Sequence, residues 1–307
     1  MTRRKKGNPV HGWLVLDKPV GMTSTQAVGA VRRAFGAQKA GHAGTLDPLA
    51  TGILPIALGE ATKTVPYAVD GQKEYRFTVR WGIETDTDDA EGRSVATGGS
   101  RPDRAAIEAV LPRFIGEIMQ TPPAFSAVKI AGERAYDLAR AGEVVELEPR
   151  PIEIDALDLV ECPDPDTAVF AAQCGRGTYV RALARDMGRA LGCHGHVIAL
   201  RRARVASFVE ADAVTIDDLT AAAEAGADAL QPFLRPVELA LADLAVLRVS
   251  REDTVRLLRG QSVLVRGQEL PAPGPAYATC KGHLVALGHI EKGQLRPTRV
   301  FNFGGAG

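Results

Sequence analysis

Four cysteines in 307 residues (Cys162, Cys174, Cys193 and Cys280) is few, and no two of them stand in C-x-x-C spacing. That scarcity excludes a disulfide framework and a zinc ribbon, and it fits a reducing cytoplasm. Net charge is also lacking, because 37 basic residues balance 37 acidic ones. Overall charge gives no reason to expect a nucleic-acid partner, so only a local concentration of charge would point to one. Long apolar runs are missing too. None approaches the ~20 residues that a bilayer span requires. The first run, "WLVL", stops at Asp17, too short for the core of a secretory signal. A cytoplasmic protein without membrane association is expected, with residues 1–9 as a flexible basic tail. The rest is typical of a soluble globular chain, 45% hydrophobic and 24% charged, and long enough for more than one domain.

Local pattern predicts several elements. "TSTQAVGAVRRAFG" predicts a helix: Thr23 and Gln26 have capping-box spacing, Val28, Val31 and Phe35 share a face, and Gly36 closes the end. "EYRFTVRWG" alternates Tyr75, Phe77, Val79 and Trp81 against Glu74, Arg76, Thr78 and Arg80, which predicts a half-buried strand. The acidic run "ETDTDDAEGR" has Thr97 where a calcium loop needs a bidentate glutamate, so a solvated loop is expected there. "RPDRAAIEAVLPRFIG" and "GERAYDLARAG" predict further helices, the second bounded by Gly132 and Gly142. "TPPAFSAVKI" and "VVELEPRPIEIDALDLVE" read as extended. In "CGRGTYVRALARDMGRALG" a Gly-rich turn leads into a helix with Val180, Leu183, Ala184, Met187 and Leu191 on its core side and Arg181, Arg185 and Arg189 on the other. Pro232 and Pro236 suggest a boundary near 230–245, followed by a small β-rich module.

Some candidate motifs fall away. "GEATKT" lacks the second glycine of a phosphate-binding P-loop. "CHGHV" gathers Cys193, His194 and His196, but no second ligand pair follows at finger spacing, so a turn at a helix end is favoured over zinc. From Arg176 to Arg204 there are seven arginines and one acid, Asp186. That stretch is either a solvated helix face with a basic turn or a phosphate-binding surface, and the guanidinium fork favours the second. By pattern alone Tyr75 is a core aromatic. Tyr179 begins a helix just after Gly175 and Gly177, where small residues let a ligand come close. Asp47, in "GHAGTLDPLATG", is wedged between Leu46 and Pro48 in an apolar segment. A carboxylate held there must be hydrogen-bonded or paired with a cation, and an arginine from elsewhere in the chain is the expected partner.

Five blocks, taken in order, carry a resemblance. "DKPVGMTS" (17–24), "GHAGTLDPLATGILPIALGEATK" (41–63), "KEYRFTVRWGIETDTDD" (73–89), "PPAFSAVKIAGERAYDLARAGEVVE" (122–146) and "CGRGTYVRALARDMGRALG" (174–192) resemble the signature blocks of the bacterial tRNA pseudouridine-55 synthases, the TruB family. The resemblance implies an α+β protein. Residues 10–240 would form a pseudouridine synthase catalytic domain on a largely antiparallel mixed sheet, with an RNA-closing insertion at about 124–152, and residues 241–307 a small PUA-like β-rich RNA-binding domain. It further implies isomerisation of the T-loop uridine at position 55 of tRNA to pseudouridine, without metal or organic cofactor. The T-loop and stem of tRNA would be the partner, with no obligate protein partner.

Residue by residue, the resemblance implies Asp47 as nucleophile and Arg181 as its cation. Tyr75 would stack on the target base and is a candidate for removing the C5 proton. His42 would help hold the splayed loop, Tyr179 and Leu200 would lie against the nucleotide, and Lys18 and Lys129 would support the site. Tyr136 falls in the closing insertion. One departure is Ala206, where many members of the family have glycine. Two other readings stay open: a tRNA-folding chaperone that has lost catalysis, and a related synthase acting on other RNAs. The intact set of Asp47, Tyr75 and Arg181 argues against the first, and the continuous insertion against the second.

Overall fold

The run "WLVL" lies in the strand Gly12–Lys18, and each of its side chains is buried. Successive side chains point to opposite faces of a strand. Leu14 and Leu16 accordingly enter the main core, whereas Trp13 and Val15 enter a second cluster. The neighbouring strand Thr51–Leu58 divides in the same way, with Leu54, Ile56 and Leu58 on one side and Ile53 and Ala57 on the other. With both faces covered, these strands read as continuous apolar runs rather than alternating ones.

The computed structural model describes residues 7–126, 128–130, 133–141, 145–266 and 272–304. Among them, the main sheet has nine strands. Its path runs Gly12–Lys18, Thr51–Leu58, Gly195–Val205, Lys73–Trp81, Thr167–Cys174, Arg150–Asp164 and Gly116–Gln120, with Ala40–His42 and Phe208–Val209 attached at the side. Every pairing is antiparallel except that of Gly195–Val205 with Thr51–Leu58. The expected largely antiparallel mixed sheet is therefore present. The helix Ser24–Ala34 has the Thr23–Gln26 capping box in full, and Gly36 takes a φ of +57° just past its end. Ala206 has a φ of +48°, a left-handed backbone that accounts for the suitability of glycine at this turn. The expected basic tail lies partly outside the described residues. Within them Asn8 is tied down, its N–H donating to Gly36 O at 2.7 Å.

A second sheet of five strands follows: Ala245–Arg248, Gly274–Cys280, His283–Glu291, Gln294–Val300 and Val263–Leu264. It has its own core, in which Leu257 of the helix Arg251–Leu258 packs on Ala276, Ala286, Ile290 and Leu295. Its Leu284, Leu287 and Phe301 also reach the cluster of Trp13, Val15 and Phe208, so apolar packing joins the two sheets. Among the described residues, no helix is long and apolar enough to cross a membrane.

The parallel junction brings two backbones close together. Gly52 pairs with Arg202 there at a φ of +96°, and a side chain on Gly52 would collide with the Arg202 carbonyl oxygen. Gly52→Ala should therefore destabilise the protein by at least about 2 kcal/mol. Urea unfolding would measure this, and an unchanged midpoint would show that the strands separate there at little cost.

Candidate active site

Asp47 sits in the connection between the strands Ala40–His42 and Thr51–Leu58, and the loop is fixed from both ends. Ser24 Oγ accepts the Leu46 N–H at 2.8 Å and donates to Leu46 O at 2.9 Å. The Gly21 N–H donates to Pro48 O at 2.8 Å. From the sheet side, Arg202 donates to Ile53 O at 2.8 Å and to Gly44 O at 3.0 Å. Lys18, fully buried, donates to Pro19 O and Met22 O, both at 2.8 Å. The loop thus lies between two buried cations whose hydrogen bonds go to backbone carbonyls.

The Asp47 carboxylate faces a partly open mouth, its side chain 37% exposed, and its Oδ2 lies 3.0 Å from Arg181 Nε. Arg181 stands in the first turn of the helix Val180–Ala190 and is buried. Its Nη1 donates to Thr87 O at 2.7 Å and lies 3.5 Å from Asp89 Oδ2. Its Nη2 donates to Phe125 O at 3.0 Å. The guanidinium is therefore shared among three segments, and only Nε is turned to Asp47. Asp89 is buried and held by the Thr87 hydroxyl at 2.6 Å and the Glu91 N–H at 3.0 Å.

The remaining expected residues gather around this pair to different degrees. The charge of Asp47 acts on Lys18, Tyr75 and Tyr179, so all three lie within its electrostatic reach. Tyr75 is half-buried on Lys73–Trp81, directly across from Arg202. Burial raises its pKa, and the adjacent Arg202 only partly offsets that. Tyr179 caps the Arg181 helix, and the buried amide of Gln120 holds its backbone, accepting from its N–H at 2.9 Å and donating to its C=O at 3.2 Å. Its pKa too is raised by burial, a shift that the nearby Ser126 side chain and then Arg181 oppose. His42 is kept neutral by burial and then by Arg202. Leu200 packs in the main core opposite Phe77, two residues before Arg202. The backbone of Lys129 lies in the short strand Lys129–Ile130, and its side chain is outside the described residues. Among the described residues, no group of three or more His, Cys, Asp or Glu side chains is placed to hold a metal ion.

Residues 32–180 match the model of the TruB family pseudouridylate synthase N-terminal domain, and residues 181–242 that of the tRNA pseudouridylate synthase B C-terminal domain. A tRNA pseudouridine synthase B from Rhodopseudomonas palustris is 59% identical over 306 residues, which is 98% of this chain and 84% of that protein. The chain belongs to the TruB family. Another relative of the same name, from Bradyrhizobium diazoefficiens, is 60% identical over 98% of this chain and 89% of its own length. Among solved structures, a chain of a Cbf5-Nop10-Gar1 complex matches with a TM-score of 0.74 and 25% identity, over 99% of this chain and 91% of that one.

Two expectations for this TruB-family chain are corrected by the geometry. The acidic run after Trp81 is not a solvated loop, since Glu84, Asp88 and Asp89 are all buried. Nor do Arg181, Arg185 and Arg189 together form a solvated face or an open phosphate surface, since the first two are buried and only Arg189 stays exposed. Side chains four apart share one side of a helix, and these three read along the acidic run. Arg189 binds Glu84 through two nitrogens, Arg185 donates to Asp88 at 2.8 Å, and Arg181 reaches Thr87 and Asp89. Burial raises the Asp88 carboxyl to about 6 against the pull of Arg185, and its φ of +60° shows a backbone bent to make the contact. Asp89, Asp88, Arg185, Arg202 and Ser24 are the neighbours of this pair and its loop that sequence reasoning missed. The one available signal was opposite charge in two blocks about a hundred residues apart.

Burial lowers the Lys18 pKa from 10.5 to about 8, against the opposing charge of Asp47. Between those values the unfolded chain holds a proton that the folded one lacks, so this group makes stability rise with pH across that window. Lys18→Met should remove the rise. Urea midpoints at about pH 7.5 and pH 10 check it: wild type should gain on the variant at the higher pH, and parallel curves would show that Lys18 is not desolvated.

Proposed function

We propose that the protein converts a uridine in the T-loop of tRNA to pseudouridine, with Asp47 as the nucleophile. The observation that carries the reading is the Asp47–Arg181 contact at a partly open mouth, in a chain related over nearly its whole length to tRNA pseudouridine synthase B. The reaction breaks the bond from N1 to C1′, turns the uracil within the site and joins C5 to C1′, after which the C5 proton leaves. Every route through it begins with an ionised carboxylate next to a desolvated nucleoside. Arg181 lies 3.0 Å from that carboxylate, and its own position is set by Thr87, Asp89 and Phe125, which do not react.

Extruding the target base from folded RNA costs a few kcal/mol. Stacking on an aromatic ring returns about 1 to 3 kcal/mol per base, and Tyr75 is the ring we assign to it. With its pKa raised, Tyr75 rests as a neutral phenol, so it binds as an aromatic face and would take up the C5 proton only through a transient phenolate. Tyr179, Leu200 and His42 are assigned to the nucleotide and its loop, and Lys18 and Lys129 to support. The segment near 124–152 is assigned to closure over the RNA. Phe125, whose carbonyl binds Arg181, meets the ring of exposed Tyr136 edge-on at 6.1 Å, so that segment is coupled to the catalytic cation. Excluding bulk water from the detached base keeps the outcome isomerisation rather than hydrolysis. The C-terminal β-rich domain is assigned as the PUA-like RNA-binding module.

Tritium release from C5-labelled uridine in a tRNA transcript tests the assignment. Asp47→Asn should abolish release while tRNA affinity stays within about tenfold, since the charge is lost and the volume kept. Full release by that variant would refute the nucleophile. Arg181→Lys should slow turnover by about tenfold or more, because one ammonium cannot serve Asp47, Asp89, Thr87 and Phe125 together. Near-normal turnover would show that the shared guanidinium is dispensable.

A further inference from the structure

Beside the mouth lies a second cleft of about 360 Å³, with Gln120, Arg150, Ile152, Arg176, Gly177 and Tyr179 among the residues that line it. Two of its residues are exposed arginines, and none is an acid. Arg150 opens the strand Arg150–Asp164, and among the described residues no carboxylate pairs with it. Arg176 lies 2.7 Å from Asp70, but that pair is open to solvent, with the side chains 69% and 56% exposed. Such a pair is worth about 0 to 1 kcal/mol, so a phosphate can replace the aspartate at little cost.

The remaining walls are built rather than incidental. Gln120 is 2% exposed and spends both ends of its amide on the Tyr179 backbone, which fixes one side. Gly177 has a φ of +89°, and the nearest atom to a side chain placed there would be Ile152 Cγ2 at 3.9 Å, so the open backbone leaves room for a ligand. Pro122, Pro151 and Ile152 add apolar surface of the kind that suits a sugar. Tyr179 joins the cleft to the mouth, for its phenol feels the charges of both Asp47 and Arg150.

Resting on the proposed function, we infer that Arg150 and Arg176 hold a phosphodiester of the substrate RNA directly adjoining the target uridine. Two guanidiniums beside an apolar wall suit a ribose-phosphate unit, and Tyr179, which lines the cleft and lies within reach of Asp47, sets that unit next to the target nucleotide. Arg150 is thus a binding residue that sets the register of the RNA chain in the site.

Binding of an unmodified tRNA transcript by the full-length protein tests this over a series of KCl concentrations. Arg150→Ala should weaken binding about five- to tenfold near 0.1 M salt and reduce the slope of log Kd against log salt by about one. Arg150→Lys should restore the slope. An unchanged slope and affinity would overturn the inference, as would a loss of turnover with an unchanged slope. A stem-loop RNA with a neutral methylphosphonate on one or the other side of the target uridine gives the position. At one linkage the loss from the modification and the loss from Arg150→Ala should not add; additive losses at both linkages would overturn the assignment. Pseudouridine formation by the wild type is scored in the same samples. If the wild type forms none, the proposed function fails; if it does and Arg150→Ala binds like wild type, only this inference fails.

Discussion

The Arg181 guanidinium is the contact on which the arrangement depends. It is buried, it carries a full charge, and it is divided among Asp47, the 87–89 segment and Phe125. A charge taken out of water is tolerated only when its donors are satisfied and an opposite charge is near. Asp89 and the two carbonyls meet most of that requirement, which leaves Nε for Asp47. The cation is therefore held in position by groups other than Asp47, and that carboxylate meets a partner that is already fixed.

The loop that carries Asp47 follows the same economy. Its backbone carbonyls are the acceptors for Arg202, while Lys18 binds the segment packed against it. Arg202 also bears on His42, Lys18, Lys73 and Tyr75, in each case favouring the form with less positive charge. A chain with no net charge thus sets two buried cations, Arg202 and Lys18, around the loop that carries Asp47.

Tyr75 and Tyr179 show how one residue type takes two places in this frame. Tyr75 comes from the middle of the sheet, on a strand whose alternate residues fill the core, and only its position next to the loop separates it from Phe77 and Val79. Tyr179 comes from the entry to a helix and is positioned through its backbone by Gln120. Rigid elements therefore carry both rings.

Much of this was legible in the sequence, where the information is local or repeated in blocks. The capping box at Thr23 and the alternation from Tyr75 to Trp81 follow from periodicities of a few residues. The five blocks identify the family, and the apolar setting of Asp47 already required a cation. What the sequence could not show is where the other charges go. Glu84, Asp88 and Asp89 have the pattern of a solvated loop, and Arg185 and Arg189 that of a solvated helix face. The three acids and Arg185 are buried, and Arg189 lies exposed over Glu84, because each acid finds an arginine across about a hundred residues of chain. Burial of a charge is a property of the pair, and only the tertiary structure brings the two halves of the pair together.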